Sequence, residues 1–250
     1  LEKELNTTLF DRNNRTVTLT QNGQKVYEFA KKTRASLAHL KQALHPKSPK
    51  ELTGHIKLHS TVTAAYYILP PIIKLFRHQY PLIRPYLETG EIKQGYDQLL
   101  SNEVDFSIGI ITKTKLNQCL CKKILQTPLV YITPKHTSKS VLFETPMILP
   151  EQGDLATIIT TYLNTLSMAP PIHSYIKGHE AILAMVSAGL GNAILPKIVI
   201  DNSHLSHTIQ IVTPKKPLPN LDVGIFVKKQ PTLSPTKNAF WKFINEQYSH

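Results

Sequence analysis

The stretch from residue 172 to residue 196, IHSYIKGHEAILAMVSAGLGNAILP, constrains the fold more than any other part of the chain. Residues 173–177 have the pattern of a short strand, Gly178 permits a tight turn, and apolar residues recur at helical spacing over residues 181–186. Residues 191–195 form an apolar segment that ends at a proline, which predicts the next buried strand. A strand, a helix and a second strand in this order form a crossover unit, so the stretch predicts an α/β fold.

Strand and helix patterns alternate over residues 56–110 and again over residues 129–227. We therefore predict two similar α/β lobes, with the chain crossing between them near Gln126 and near Val227. The prediction assigns residues 54–126 and 228–250 to lobe I and residues 127–227 to lobe II.

Two prolines and one acidic residue add local expectations. Pro85 interrupts a strand pattern, which predicts an edge strand. Pro128 is expected to separate a strand at residues 120–125 from another at residues 129–133. Asp105 has no base or nucleophile near it in the sequence, so we expect a structural role for its carboxylate, such as accepting a backbone hydrogen bond.

A polar tip separates two short strand patterns near the N-terminus. Leu9-Phe10 precedes Asp11-Arg12-Asn13-Asn14-Arg15, and residues 16–20 alternate as a second strand. An Asn-Asn tip tolerates positive φ, so the segment predicts a hairpin. Arg12 and Arg15 offer phosphate contacts, although a solvated hairpin tip is the more frequent explanation of such a pattern.

These N-terminal residues carry a family resemblance. LFDRNNRTVTLTQNG at residues 9–23 resembles the wing of the winged helix-turn-helix in LysR-type transcriptional regulators, and LEKEL at residues 1–5 resembles the end of the recognition helix. The resemblance implies that residues 1–20 are the C-terminal remnant of a DNA-binding domain. It also implies that most of the helix-turn-helix lies outside this sequence, because LEKEL has the rhythm of mid-helix, and that Arg12, Asn13 and Arg15 contact DNA.

A long helical pattern follows from Gln21 to Leu44, with Thr20 as a candidate N-cap and apolar residues at heptad spacing. Such a stripe needs a partner, most simply the same helix of a second copy; packing against the chain's own core is the alternative. The resemblance favours a homodimer, because this family uses a linker helix in this way, and a tetramer is expected to form from it. The predicted dimer contacts are Val26, Ala30, Leu37, Leu40 and Leu44.

The polar segment HPKSPK at residues 45–50 contains two prolines and ends the helix. We therefore assign the linker helix to residues 21–45 and a hinge to residues 46–53.

Composition limits the classes of protein that this chain can represent. The 29 Lys+Arg against 17 Asp+Glu give a formal net charge of +12, which favours partners with phosphates or carboxylates unless it reflects a solvated surface. No segment approaches the roughly 18 consecutive apolar residues of a membrane span, so we expect a cytoplasmic protein without membrane contact. Cys119 and Cys121 have no second cysteine pair, which argues against a disulfide framework or a metal site. Gly189-Leu190-Gly191 ends a helix pattern and does not begin one, so no dinucleotide or other cofactor is expected.

Three junctions between strands and helices carry hydrogen-bond donors and could face one cleft between the lobes: Ser60-Thr61, Gln152-Gly153 and Gly178. Free N–H groups at such junctions bind small anions, although capping of the helix alone would explain the hydroxyls equally well. His179-Glu180 does not continue as HExxH, so His179 is either a satisfied histidine at a helix N-terminus or a ligand contact. We find no nucleophile–base pair and predict no catalytic residues.

The family resemblance extends through residues 60–71 and 178–196 and covers nearly the whole chain. It implies an effector-binding domain of the type 2 periplasmic-binding-protein fold. Within the family, these blocks are most similar to activators of branched-chain amino acid biosynthesis, whose effectors are the small acids acetolactate and acetohydroxybutyrate. The implied effector-binding residues are Ser60, Thr61, Gln152, Gly178, His179 and Glu180.

Two residues depart from the family pattern. Asp154 follows Gln152-Gly153 where an arginine-rich helix start is expected, and Lys177 stands where a glycine is expected. We add Lys177 to the effector-binding residues because it restores a positive charge, unless it is simply exposed. A solute-binding protein of the same two-lobed fold is the alternative function, and a small-molecule enzyme is a further one.

Overall fold

The computed structural model describes residues 1–13, 16–44, 48–112, 117–137, 145–166 and 170–249. Strands β1 (Phe10–Asn13) and β2 (Thr16–Leu19) pair antiparallel with Phe10 opposite Leu19, which confirms the predicted hairpin. Arg15 lies outside the described residues. Residues 1–7 form turns, in which the Leu5 N–H donates to the Leu1 carbonyl at 2.9 Å, so LEKEL contains one helical turn, and its place at the end of a recognition helix stays a prediction.

Helix α1 spans Gln21–Leu44, as the heptad pattern predicts. The Thr20 hydroxyl oxygen accepts a hydrogen bond from the Gly23 N–H at 2.9 Å, which confirms Thr20 as the N-cap. Leu37 and Leu40 on this helix are 51% and 54% exposed, and Phe29 is 70% exposed. The helix therefore presents large apolar side chains that the other described residues do not cover.

The first lobe is built on three parallel strands. Strand β3 lies between β5 and β4, and β4 forms the edge of the sheet, as Pro85 predicts. A break at Ile68 separates two helices just before Pro70-Pro71, because proline cannot continue the hydrogen-bonding of a preceding helix. In chain order the elements are β3 (Gly54–Ser60), α2 (Val62–Tyr67), α3 (Leu69–Gln79), β4 (Ile83–Thr89), α4 (Ile92–Ser101) and β5 (Phe106–Ile110).

The second half of the described chain begins with a long strand, β6, which spans sixteen residues from Cys119 to Pro134. The predicted strand, helix and strand of residues 172–196 are present as β8 (Ile172–Ile176), α6 (His179–Ser187) and β9 (Ala193–Pro196). After β6 the elements are β7 (Met147–Pro150), α5 (Asp154–Asn164), β8 (Ile172–Ile176), α6 (His179–Ser187), β9 (Ala193–Pro196), α7 (Lys197–Asp201), β10 (Ile209–Val212), β11 (Asn220–Lys228) and α8 (Pro235–Gln247).

Pro128 does not interrupt β6, so the prediction of two separate strands is wrong. Up to Pro128 the strand pairs with β11, and from Leu129 it pairs with β9. The proline sits where β6 changes partner, and at that position its missing N–H costs little pairing.

The described buried side chains form four clusters, and two of them, one in each lobe, include residues of β11. Phe106 and Phe240 belong to the first, between the parallel strands and α8, while Leu129 and Leu149 belong to the second. On β11, Leu221 packs in the second core and Val223 in the first. The chain therefore passes from the second core to the first between residues 221 and 223, ahead of the predicted crossover near Val227.

Asp105 has the structural role that the sequence predicts. Its Oδ2 accepts a hydrogen bond from the Lys57 N–H at 2.8 Å, and its Oδ1 lies 2.6 Å from the Lys237 Nζ. The two side chains are only 13% and 19% exposed, so the ion pair is largely shielded from water. The carboxylate thus connects β3, the start of β5 and α8.

Replacing Asp105 by alanine should reduce the free energy of unfolding by about 1–3 kcal/mol, because the Lys237 ammonium and the Lys57 N–H lose their acceptor in a shielded place. Chemical denaturation measures this change. Asp201→Ala is the matched control: it breaks the Lys197–Asp201 pair, whose side chains are 42% and 51% exposed, and should cost about 0–1 kcal/mol. Equal losses in the two variants would contradict the structural role of Asp105.

Candidate functional site

A cavity of ≈ 320 Å³ lies between the two lobes. This volume is within the range of small-molecule sites, which are often found between lobes or domains. Lobe I contributes residues 61–63 and 89–92 with Gln94, and lobe II contributes residues 150–155 and 176–180. All four segments lie where a strand ends and a helix begins, so sheet topology brings them to one place.

Four helices begin at this cavity. Thr61 caps α2, Glu91 precedes α4, Gly153 precedes α5 and Gly178 precedes α6. Gly153 and Gly178 have φ of +93° and +103°, a conformation that glycine adopts without strain. The first N–H groups of each helix have no partner within the helix, and the helix dipole makes this end positive. The cavity is therefore equipped to accept negatively charged oxygen atoms.

The structure brings six of the seven predicted effector-binding residues to the cavity. Ser60 is the exception: it is fully buried, and its hydroxyl donates to the Thr61 carbonyl at 3.0 Å. Ser60 lies at the end of β3 and Thr61 follows it, so the two side chains project differently and only Thr61 reaches the cavity wall. The six residues at the cavity are Thr61, Gln152, Lys177, Gly178, His179 and Glu180.

The sequence prediction missed the contribution of residues 89–92, of Gln94 and of Thr63. The same rule that selected the other junctions applies to Thr89, Gly90 and Glu91, which join the parallel strand β4 to α4. Thr63 gives no such signal, because its place at the cavity depends on how α2 packs against α6.

His179 connects the two lobes. Its Nδ1 lies 2.7 Å from the Thr63 hydroxyl, so one ring nitrogen is satisfied by lobe I. Burial lowers the pKa of His179, and the neighbouring Glu180 carboxylate opposes this effect. Burial also raises the pKa of the Tyr67 hydroxyl on α2, and Glu180 raises it further. Consecutive residues of α6 thus meet Thr63 and Tyr67, one turn apart on α2.

The cavity wall is acidic although the chain as a whole is basic. Its described lining contains Glu91, Glu151, Asp154 and Glu180, but Lys177 as the only lysine or arginine. A ligand with several negative charges would be repelled by this wall. The positive elements that a single carboxylate can use are the helix N-termini and Lys177.

The structure offers no chemical group for redox or metal chemistry within the described ranges. Cys119 is buried, and burial raises the pKa of its thiol. Burial, together with Cys119, raises the pKa of Cys121 to about 12, so neither thiol is activated. Among the described residues, no group of three or more His, Cys, Asp or Glu side chains could hold a metal ion. No helix in the described part is sufficiently long and apolar to cross a bilayer.

Two α/β lobes around a cavity at which four helices begin define a two-lobed small-molecule-binding domain. Residues 49–249 match the LysR substrate binding domain, and the chain belongs to the LysR family of transcriptional regulators. It is 32% identical to the HTH-type transcriptional activator IlvY of Haemophilus influenzae, over 98% of this chain and 87% of that protein. The HTH-type transcriptional regulator IlvY of Escherichia coli (strain K12) is 28% identical, over 98% of this chain and 86% of its own length.

Solved structures agree with this fold. The effector binding domain of QuiR in complex with shikimate covers 79% of this chain and 98% of its own, with a TM-score of 0.69 and 18% identity. CbnR, a LysR family transcriptional regulator, covers 97% of this chain and 86% of its own, with a TM-score of 0.64 and 17% identity. The family and the two-lobed α/β fold are thus confirmed. The relatives named above are regulators and not enzymes, and the alternative of a solute-binding protein is not supported.

Proposed function

We propose that this regulator responds to a small monocarboxylate, and that acetolactate and acetohydroxybutyrate are its effectors. The observation that carries the proposal is the meeting of four helix N-termini at one interlobe cavity. A carboxylate at the start of α6 would accept hydrogen bonds from the free N–H groups there, and Lys177 directly precedes this helix start. Hydroxyl and keto oxygens of the same acid suit the Thr61 and Thr63 hydroxyls. A single negative charge also suits the acidic wall better than a dicarboxylate or a phosphate does.

Effector binding controls the regulator through the lobes. A ligand that touches both lobes favours the arrangement in which they are closest, and it can shift activity only through its different affinities for two arrangements. We propose that the regulator acts in the cytoplasm, where it activates genes for branched-chain amino acid biosynthesis. In this proposal Arg12, Asn13 and Arg15 contact the DNA. The relatives named IlvY support this assignment.

Thermal unfolding with added acetolactate tests the proposal. A ligand at 100 times its Kd stabilises by about 2.7 kcal/mol, which for a chain of this size raises Tm by roughly 5–10 °C. Citrate, with three carboxylates, should give no shift because of the acidic wall. No shift at millimolar acetolactate would contradict the proposed effector.

Lys177→Gln should weaken the binding of acetolactate by roughly 10-fold to 100-fold, because a hydrogen bond to a charged group contributes about 1.5–3 kcal/mol. Lys74→Gln is the matched control, since Lys74 is exposed on α3 and does not line the cavity. Isothermal titration calorimetry measures both. Equal affinities of the two variants would remove Lys177 from the site.

A further inference from the structure

His59 on β3 is fully buried, and within the described part of the chain neither of its ring nitrogens has a hydrogen-bond partner. A buried polar group without a partner costs about 1–3 kcal/mol. Buried groups of this kind are rare in native proteins, and each calls for an explanation. None of the contacts of the cavity described above includes this ring.

Two glycines make the space in which the ring lies. A Cβ atom on Gly95 of α4 would lie 2.0 Å from the His59 Nδ1, and one on Gly90 would lie 2.9 Å from the Nε2. Gly90 lines the cavity, together with Glu91 and Gln94. The imidazole therefore fills the space between the sheet and the segment of residues 90–95, which runs from the cavity wall into α4.

The groups beside the His59 ring do little to stabilise a positive charge on it. In the sheet register His59 lies beside Glu88 of β4 and Ser107 of β5. Burial lowers the pKa of His59, and the Glu88 carboxylate opposes this effect. The Ser107 hydroxyl is itself buried without a partner in the described residues. The other charged or titratable groups on the packed elements are His55 and Lys57 on β3, Arg84 and Tyr86 on β4, Asp105 ahead of β5, and Glu91, Lys93, Tyr96 and Asp97 on or beside α4.

We propose that His59 is a positioning residue for the cavity: its uncharged ring holds residues 90–95 in place for the effector, and it can take up a proton only by displacing them. This inference rests on the proposed binding of an effector in the cavity. It makes effector affinity depend on pH through a side chain that does not touch the effector.

The sign of the pH dependence follows from the direction of the shift. Because the pKa of His59 in the folded protein lies below the unfolded value of 6.5, the unfolded chain binds the proton more readily. The stability contributed by the uncharged ring is complete above pH 6.5 and is lost as pH falls through the folded pKa. His179 shifts in the same direction and adds to the effect, so the two histidines must be separated by substitution.

The first measurement is the free energy of unfolding of the ligand-free chain between about pH 7.5 and pH 5.5. Wild type and His55→Gln, the control at an exposed position of the same strand, should both lose stability as the pH falls. His59→Gln, which cannot take up a proton, should lose clearly less over this range, and a His179→Gln background should leave that difference intact. Equal slopes in His59→Gln and His55→Gln would overturn the proposal.

The second measurement is the affinity for acetolactate over the same pH range, whose pH dependence a merely structural role of His59 would leave equal in wild type and His59→Gln. Wild-type affinity should fall several-fold toward acid pH, while His59→Gln should bind more weakly at neutral pH and change less with pH than wild type, the remaining change coming from His179. If wild type does not bind acetolactate at any pH, the proposed effector fails, and the ligand-free stability profile still decides whether His59 is proton-sensitive.

A third measurement requires no variant and applies if His59→Gln does not fold. In an NMR titration of the wild-type chain, the amide resonances of Gly90 and Gly95 should shift with the same midpoint as the His59 ring, below pH 6.5. Titration of the ring without movement of these two amides would overturn the positioning role.

Discussion

Gly95→Ala should destabilise the protein by about 1–3 kcal/mol, because overpacking of a filled interior costs this much. The sign is the reverse of what the helix itself prefers, since alanine is the better helix former by about 1 kcal/mol. The added Cβ would lie 2.0 Å from the His59 Nδ1, and the ring is enclosed on its other side by Gly90. Chemical denaturation measures the loss.

A second substitution identifies the cause. In a His59→Ala background the ring is absent, so Gly95→Ala should no longer destabilise and should show the helix preference of alanine. Lys93→Ala, at an exposed position of the same helix, controls for alanine itself and should be nearly neutral. If Gly95→Ala is as stable as wild type, the close packing of His59 against α4 is wrong.

The double substitution Leu37→Asp with Leu40→Asp should convert a dimer into monomers or aggregates. Both side chains are about half exposed on α1, and a chain that buries them must do so against another molecule. Four aspartates facing each other in the seam of a helix pair would replace apolar contacts with like-charge repulsion. Light scattering measures the mass of the species in solution.

Gln24→Asp with Lys31→Asp provides the matched control. These two residues are exposed on α1 and lie outside the predicted seam, so the dimer mass should persist. An unchanged dimer mass after substitution of Leu37 and Leu40 would show that copies associate elsewhere. The dimer contacts predicted for Val26, Ala30 and Leu44 on the same helix would then be wrong as well.

Local patterns predicted the elements that depend on few distant contacts. The heptad spacing and the Thr20 cap define α1 over its full length, and Pro85 identifies the edge strand. In both cases the physical signal is contained in neighbouring residues: a stripe on one helix face, a capping hydroxyl, or a missing N–H group.

Non-local pairing explains what the sequence did not predict. Whether Pro128 ends a strand depends on which partner lies beside it, and the change from β11 to β9 at that residue cannot be read from the residues themselves. The choice between Ser60 and Thr61 depends on the end of β3 relative to the cavity. Thr63 enters the site through α6, which lies more than a hundred residues later in the chain.

The candidate site was more predictable in position than in charge. Donor-bearing residues at junctions between strands and helices predicted the position of the cavity, because parallel strands place the helix starts that follow them at one edge of the sheet. The negative charge of the cavity wall was not predicted. Glu180 was predicted as an effector-binding residue for other reasons than its charge, and Glu91 was not predicted to line the cavity. Contact of any of these residues with an effector stays a prediction.

The course of β6 limits how this regulator can acquire a new effector. The strand runs without a break through both lobes, and β11 returns beside it with Leu221 in one core and Val223 in the other. Exchanging a lobe with a relative would therefore replace half of a strand and leave its pairing to be rebuilt. New specificity is more accessible through single substitutions at the starts of α4, α5 and α6, where side chains change and the sheet does not.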